Sequence, residues 1–183
     1  AEAASHAANI AEEKGLAFIH PYDDEQIMAG QGTIALELME ANPELDVIVV
    51  PIGGGGLISG IAVAAKAIKP DIKIIGVEVA GYPSVRDARL GNETHCGGTT
   101  IAEGIAVKYP GKLTMEVIKE LVDDVIVVEE EAIEDAIDLL VTIEKTVAEG
   151  AGAASLAAII KEPEKFAGLK TAAILSGANI DSR

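Results

Sequence analysis

The feature that most constrains this chain is a strand-like run that stops at four consecutive glycines and continues as a helix-like segment. The strand-like run is Val47 to Ile52, the glycines are Gly53 to Gly56, and apolar residues recur at helical spacing from Leu57 to Ile68. Glycines let successive N–H groups turn toward one point, and the following helix aims its positive dipole end there. The pattern predicts an anion-binding loop that fits a phosphate. A flexible loop or a tight turn without a ligand is the alternative.

Short runs rich in β-branched residues alternate with helical patterns along the whole chain. This alternation is typical of an α/β fold with a doubly wound, mostly parallel sheet. The run from Val47 to Val50 has no polar alternation, as expected for a strand covered on both faces. We expect residues 1–183 to form the portion of a larger domain that carries the anion-binding loop. The predicted strands are Ala17 to His20, Val47 to Ile52, Lys73 to Val79, Val125 to Val128 and Thr171 to Leu175.

The composition limits the classes of partner. Acidic side chains number 30 against 14 basic ones, a formal net charge of −16, so most of the surface repels a nucleic-acid backbone. No apolar run reaches the about 20 residues that span a bilayer, and we expect no membrane partner. The single cysteine, Cys96, cannot form an internal disulfide, which favours a reducing, cytoplasmic setting. Because the chain begins with Ala1 inside a helical pattern, we expect a fragment.

Two glycines interrupt the helical pattern between Asp24 and Ala41. Each of them, Gly30 and Gly32, costs about 1 kcal/mol relative to alanine in a helix interior. We therefore expect another backbone to pack closely against this helix.

Ligands of open α/β sheets bind beyond the carboxyl ends of the strands, so the residues after each strand are the candidates for a site. The glycine loop follows one strand, and Ser176 to Asn179 follow the last one. A third strand carries Glu78 near its end and leads into the irregular segment Gly81 to Thr99, for which we expect at most a short helix. These three strand ends should converge on one crevice.

Six segments spread over nearly the whole chain carry a family resemblance. They are Phe18 to Asp24, Ala29 to Thr33, Pro51 to Gly60, Ala102 to Gly111, Glu149 to Ala153 and Ser176 to Asp181. In these segments and in their order, the chain resembles the fold-type II enzymes that use pyridoxal phosphate, and within them the threonine dehydratases (threonine ammonia-lyases). Serine dehydratases and serine racemases are close relatives of that group. Together the segments are far more specific than a glycine loop alone.

The resemblance implies pyridoxal 5'-phosphate as the cofactor and gives several residues a role in holding it. The cofactor phosphate would bind to Gly53, Gly54, Gly55, Gly56 and the N–H of Leu57. Ser176 would form a hydrogen bond with the pyridine nitrogen, although a helix N-cap is the alternative for this serine. Gly104 would lie beside the ring, with Glu103 where an aspartate is more usual. Asn179 matches the family's Ser-Gly-Gly-Asn pattern, but Ala178 replaces the second glycine.

Two carboxylates have roles that the resemblance implies and that the residues alone leave open. Glu149 would lie near the cofactor, or it would simply be placed favourably at the N-terminus of the following helix, which is worth about 0.3–1 kcal/mol. Glu78 resembles a ligand for a divalent or monovalent cation in some relatives. Ser84, however, stands near the place of the other expected carboxylate, and oxygen sites for such ions usually need more than one acid. The spacing of His20, His95 and Cys96 does not indicate a catalytic set or a metal site.

Pyridoxal phosphate chemistry needs a lysine that binds the cofactor covalently. The family's lysine lies in a Ser-Phe-Lys context upstream of every segment matched here, and this sequence contains no such context. We therefore expect residues 1–183 to be the cofactor-binding portion of the enzyme's large domain, without the small domain and the catalytic-lysine segment. This chain alone should be inactive, and the remainder of the same enzyme would supply that lysine. The full enzyme, which we expect to be a homo-oligomer, would convert L-threonine to 2-oxobutanoate and ammonia. The segment from Gly104 to Gly111 looks like the threonine-enzyme version, which is the reason for preferring threonine over serine.

Alternatives remain open. A serine dehydratase or serine racemase of the same family would share these motifs. A domain that binds a phosphorylated ligand without catalysis would share the glycine loop. A dinucleotide-binding domain is the weaker alternative, because four consecutive glycines do not follow the dinucleotide spacing, even though Glu78 ends a strand at a suitable place.

Overall fold

The computed structural model describes residues 2–180 and shows four parallel strands between two layers of helices. The strands are β1 (Val47–Pro51), β2 (Lys73–Val79), β3 (Asp124–Val128) and β4 (Thr171–Ala173). The helices are α1 (Glu2–Lys14), α2 (Glu25–Ala41), α3 (Gly56–Ile68), α4 (Ser84–Leu90), α5 (Lys112–Leu121), α6 (Glu130–Thr142), α7 (Gly150–Lys161) and α8 (Pro163–Phe166), with a 3₁₀ turn at Glu103–Ile105. None of the helices in this part of the chain is both long and apolar enough to cross a bilayer.

The order of the strands in the sheet is β3-β2-β1-β4, and all neighbouring pairs are parallel. The central strand β1 is buried along its whole length, because alternate side chains enter separate apolar cores on the two faces of the sheet. Val47 and Val49 pack with residues of α6 and α7, whereas Ile48 and Val50 pack with residues of α2, α3 and α5. The predicted α/β fold with a mostly parallel sheet is confirmed, and the carboxyl ends of the strands meet at one edge.

The strand predicted at Ala17 to His20 is wrong. These residues form neither helix nor strand, and Phe18 and Ile19 are 49% and 68% exposed. A strand needs a neighbouring strand to receive its backbone hydrogen bonds. In the described residues the edge strands of the sheet are β3 and β4, and residues 17–20 pair with neither of them. The other four predicted strands are present, although β4 ends at Ala173 rather than at Leu175.

Helices α2 and α3 cross with their backbones in contact, as the glycines in α2 predict. A Cβ atom added at Gly60 of α3 would lie 2.0 Å from the carbonyl oxygen of Met28 and 2.7 Å from the nitrogen of Gly32. A Cβ atom at Gly32 would lie 3.0 Å from the carbonyl oxygen of Gly60. Gly30 is different, because an added Cβ would meet no atom within 4 Å. The close approach therefore explains Gly32 but not Gly30.

Candidate functional site

A cavity of about 370 Å³ opens at the carboxyl edge of the sheet, where the glycine loop follows β1. Two further segments reach the same cavity: the 3₁₀ turn with Gly104, and the chain that follows β4. The cavity thus brings together segments that lie far apart in the sequence. The predicted site residues that line it are Gly53, Gly54, Gly55, Gly56, Leu57, Gly104, Glu149 and Ser176.

The glycine loop presents the start of α3 to this cavity. Gly55 is the N-cap residue of α3 and has φ +95°, in the left-handed region that favours glycine. It has no side chain to cap the helix, and the first turn of α3 contains no acidic residue. The N–H groups at the start of a helix lack partners inside the helix and carry the positive end of its dipole. The cavity therefore has the backbone donors that an anion requires.

Tyr22 packs against the loop and fixes it, a role that the sequence did not reveal. A Cβ atom added at Gly54 would lie 2.2 Å from the Cγ atom of the Tyr22 ring, so only glycine leaves room for this contact. The Tyr22 hydroxyl donates a hydrogen bond to the carbonyl oxygen of Tyr109 at 3.1 Å. His20 supports the turn, because its Nδ1 accepts hydrogen bonds from the N–H groups of Tyr22 and Asp23 at 3.3 and 2.8 Å. His20 thus has a structural role in this turn.

Glu149 stands at the N-cap position of α7 and connects two sides of the cavity. Its N–H donates to the carbonyl oxygen of Gly177 at 3.1 Å. A Cβ atom at Gly177 would lie 2.2 Å from Oε1 of Glu149, and one at Gly104 would lie 3.7 Å from the same atom. The side chain makes no capping hydrogen bond to α7. Its carboxylate is therefore directed along the chain after β4 rather than onto its own helix.

Ser176 and Asn179 have different positions relative to the cavity. Ser176 lies two residues beyond Ile174, whose N–H donates to the carbonyl oxygen of Val49 at 3.0 Å, and Ser176 lines the cavity. Residues 177–180 are not helical, so Ser176 does not cap a helix within the described chain. Asn179 is exposed and is not among the residues that line the cavity.

Glu78 is fully buried at the end of β2 and does not line the cavity. Its Oε1 accepts hydrogen bonds from the N–H of Val85 at 2.7 Å and from the hydroxyl of Ser84 at 3.3 Å, and its Oε2 accepts from the N–H of Arg86 at 2.9 Å. Burial raises the pKa of Glu78 to about 7, against the lowering effect of these donors. Within residues 2–180 no group of three or more His, Cys, Asp or Glu side chains is arranged to hold a metal ion. A cation at Glu78 stays a prediction.

Cys96 lies in the irregular segment after α4 and is partly buried. Burial raises the pKa of its thiol, and the negative charges of Glu78 and Asp87 raise it further. A thiol is the poorly nucleophilic form of cysteine. This environment therefore disfavours the thiolate, which is the nucleophilic form.

Comparison with known proteins identifies the family. Residues 1–177 match the family model described as "Pyridoxal-phosphate dependent enzyme". The chain is 48% identical over 182 residues to an L-threonine ammonia-lyase of Thermotoga maritima, a match that covers 98% of this chain and 45% of that enzyme. The chain belongs to the pyridoxal-phosphate dependent enzyme family.

Other members of the family agree in sequence and in fold. A catabolic L-threonine dehydratase of Escherichia coli is 45% identical over 178 residues, covering 95% of this chain and 54% of that enzyme. The solved structure of maize serine racemase has a TM-score of 0.89 and 42% identity, covering 95% of this chain and 56% of that one. The processed form of threonine deaminase isoform 2 from Solanum lycopersicum also has a TM-score of 0.89, with 35% identity and coverage of 97% and 50%. The chain spans about half the length of the curated relatives it matches.

The cavity of this family member suits the phosphorylated end of pyridoxal phosphate. The donor set consists of loop and helix N–H groups around Gly55, and the packing of Tyr22 over Gly54 holds these groups in place. Among the described residues that line the cavity, none is a lysine.

Proposed function

We propose that this chain holds the cofactor of an enzyme that converts L-threonine to 2-oxobutanoate and ammonia with pyridoxal phosphate. The observation that carries the proposal is the meeting of the glycine loop and Ser176 in one cavity at the carboxyl edge of the sheet. The names of the relatives support threonine as the substrate, since the curated relatives at 48% and 47% identity are L-threonine ammonia-lyases.

In this proposal the glycine loop binds the cofactor phosphate. The N–H groups from Gly53 to Leu57 would donate to the phosphate at the start of α3, and the helix dipole would add to their attraction for a doubly charged phosphate. Gly104 lines the same cavity beside Gly53, since a Cβ atom at Gly53 would lie 3.0 Å from the carbonyl oxygen of Gly104. A Cβ atom at Gly104 would lie 3.0 Å from the Cβ of Ala151, so the proposal needs a residue without a side chain here to leave room for the ring.

Ser176 forms the hydrogen bond with the pyridine nitrogen in this proposal. Bound pyridoxal phosphate supplies an electron sink for the pair of electrons left at Cα when the substrate loses its proton. A serine hydroxyl would not protonate the ring fully, as a carboxylate would, so Ser176 would hold the ring nitrogen and keep the electron sink moderate. Glu149 orients the chain that carries Ser176, because its carboxylate lies against Gly177. We assign Asn179 a supporting place near the cofactor, although it lies outside the cavity lining.

The lysine that binds the cofactor covalently is, in this proposal, supplied by the remainder of the enzyme. An exchange experiment tests the whole assignment: this chain replaces the matching segment of the Thermotoga maritima enzyme, and formation of 2-oxobutanoate from L-threonine is measured. We expect activity in the chimera and its loss on Ser176→Ala, with binding of the cofactor retained. A chimera that folds and binds the cofactor without turnover would contradict the proposed reaction.

The similarity to maize serine racemase, with 42% identity over 95% of this chain, supports a second candidate reaction on serine. The same chimera separates the two when L-serine is offered, because racemisation gives D-serine whereas elimination gives pyruvate. A chain that only binds a phosphorylated ligand would take up inorganic phosphate and support neither reaction. Borohydride reduction of this chain with pyridoxal phosphate gives an independent check. A specifically labelled lysine would show that the covalent lysine lies within these 183 residues.

A further inference from the structure

Two donors at the start of α5 hold the carbonyl oxygen of Gly54. The hydroxyl of Thr114 donates to this oxygen at 2.8 Å, and the N–H of Gly111 donates at 3.1 Å. Thr114 is fully buried. The direction of the Gly54 carbonyl is therefore set by α5 and not by solvent.

This direction also sets the orientation of the next N–H group. The peptide between Gly54 and Gly55 is trans and planar, so its N–H points opposite to its carbonyl. Because the Gly54 carbonyl points toward α5, the N–H of Gly55 points away from α5. The cavity lies on that side, since Gly55 lines it and no residue of α5 does.

Thr114 is itself fixed from two sides. The carboxylate of Asp23 accepts hydrogen bonds from the N–H groups of Lys112, Leu113 and Thr114 at 2.9, 2.8 and 3.1 Å. The hydroxyl of Ser59 in α3 donates to the carbonyl oxygen of Thr114 at 3.3 Å. The Thr114 hydroxyl consequently acts from a rigid position at the start of α5.

We propose that Thr114 is a positioning residue for the anion-binding loop: its hydroxyl turns the Gly54–Gly55 peptide so that the Gly55 N–H faces the bound phosphate. The inference rests on the proposed function, because it assumes that the loop binds the cofactor phosphate. Thr114 does not touch the ligand. It acts through Gly54 and lies outside the cavity lining.

Two variants of the full chain test this role. Thr114→Val removes the hydroxyl and keeps the shape, whereas Thr114→Ser keeps the hydroxyl. We expect Thr114→Val to weaken binding of pyridoxal 5'-phosphate about three- to tenfold, the effect of one lost hydrogen bond, because the Gly111 N–H still holds the loop. Thr114→Ser should bind within about twofold of the unmodified chain. Pyridoxal without phosphate should bind equally to all three proteins.

Unchanged affinity in Thr114→Val would overturn the proposal, and so would equal weakening in Thr114→Ser, which would indicate a packing role. A second measurement does not depend on either variant folding. In the ¹⁵N-labelled unmodified chain, inorganic phosphate should shift the Gly55 amide resonance, and a response at Gly53 and Gly56 without one at Gly55 would also overturn it. Failure of the proposed function looks different: the unmodified chain would then bind pyridoxal and pyridoxal 5'-phosphate equally well.

Discussion

Substitution of Gly60 by alanine should destabilise the protein, because α2 leaves no room for a methyl group at the helix crossing. The added Cβ would lie 2.0 Å from the carbonyl oxygen of Met28 and 2.7 Å from the nitrogen of Gly32. Both obstructing atoms belong to the backbone and cannot rotate away. The two helices would therefore have to separate, which would loosen the core between α2 and α3.

The magnitude follows from two opposing effects. Overpacking of a core costs about 1–3 kcal/mol and occasionally more. A clash with backbone atoms that cannot move away should cost about 3 kcal/mol. Alanine favours the helix over glycine by about 1 kcal/mol, so the net loss of stability should be about 2 kcal/mol. Gly30 in α2 provides the matched control, since an added Cβ there meets no atom within 4 Å. Gly30→Ala should stabilise the protein by about 1 kcal/mol, which places the two variants about 3 kcal/mol apart.

Urea unfolding followed by far-ultraviolet circular dichroism measures both free energies of unfolding, provided that the slope with denaturant stays the same. Gly32→Ala should fall between the two variants, because its Cβ would lie 3.0 Å from the Gly60 carbonyl oxygen. If Gly60→Ala unfolds at the same urea concentration as Gly30→Ala, the reasoning from backbone contact is refuted.

Substitutions at three further positions have defined outcomes. Burial alone would raise the pKa of Asp123, but hydrogen bonds from the Ile74 N–H and the Lys66 ammonium outweigh it and hold that pKa below its usual value. Asp123→Asn should therefore be less stable than the unmodified chain above about pH 4. In thermal melts at falling pH, the difference in stability between the two proteins should disappear as Asp123 becomes protonated in the folded protein. Asp23→Ala, which removes the acceptor for three N–H groups of α5, should cost about 1–2 kcal/mol in urea unfolding; stability equal to that of the unmodified chain would show that water replaces the cap. Tyr22→Phe keeps the ring over Gly54 and should leave the affinity for pyridoxal 5'-phosphate unchanged, whereas Tyr22→Ala should weaken it. Fluorescence titration measures both affinities, and equal values for Tyr22→Phe and Tyr22→Ala would contradict the role of the ring.

The sequence predicted the central strands well because burial on both faces leaves a continuous apolar run. The run from Val47 to Val50 is such a case, and all four residues are buried. The prediction failed at Ala17 to His20, where the same kind of residues lies without a strand beside it in the described chain. Local composition reports a preference for extended backbone, but it does not report whether a neighbouring strand is present.

The candidate site could likewise be predicted from the sequence only in part. Its glycine loop, Gly104, Glu149 and Ser176 could be selected from the sequence, because each follows a strand or belongs to a segment that resembles the family. The contacts that hold the loop could not be selected. Asp23 reaches Leu113 across 90 positions, and Thr114 reaches Gly54 across 60, so no local pattern records either hydrogen bond.

Two adjacent carboxylates, Asp23 and Asp24, begin two different helices. Asp24 accepts hydrogen bonds from the N–H groups of Gln26 and Ile27 in α2, while Asp23 accepts from the start of α5. A ligand that binds the glycine loop in the conformation described above stabilises every contact that holds this conformation. Hydrogen exchange at the first amides of α5 should therefore slow when an anion occupies the cavity, although α5 does not line it. Amide exchange in the first turn of α5 therefore shows whether an anion occupies the cavity, and the ligand needs no label.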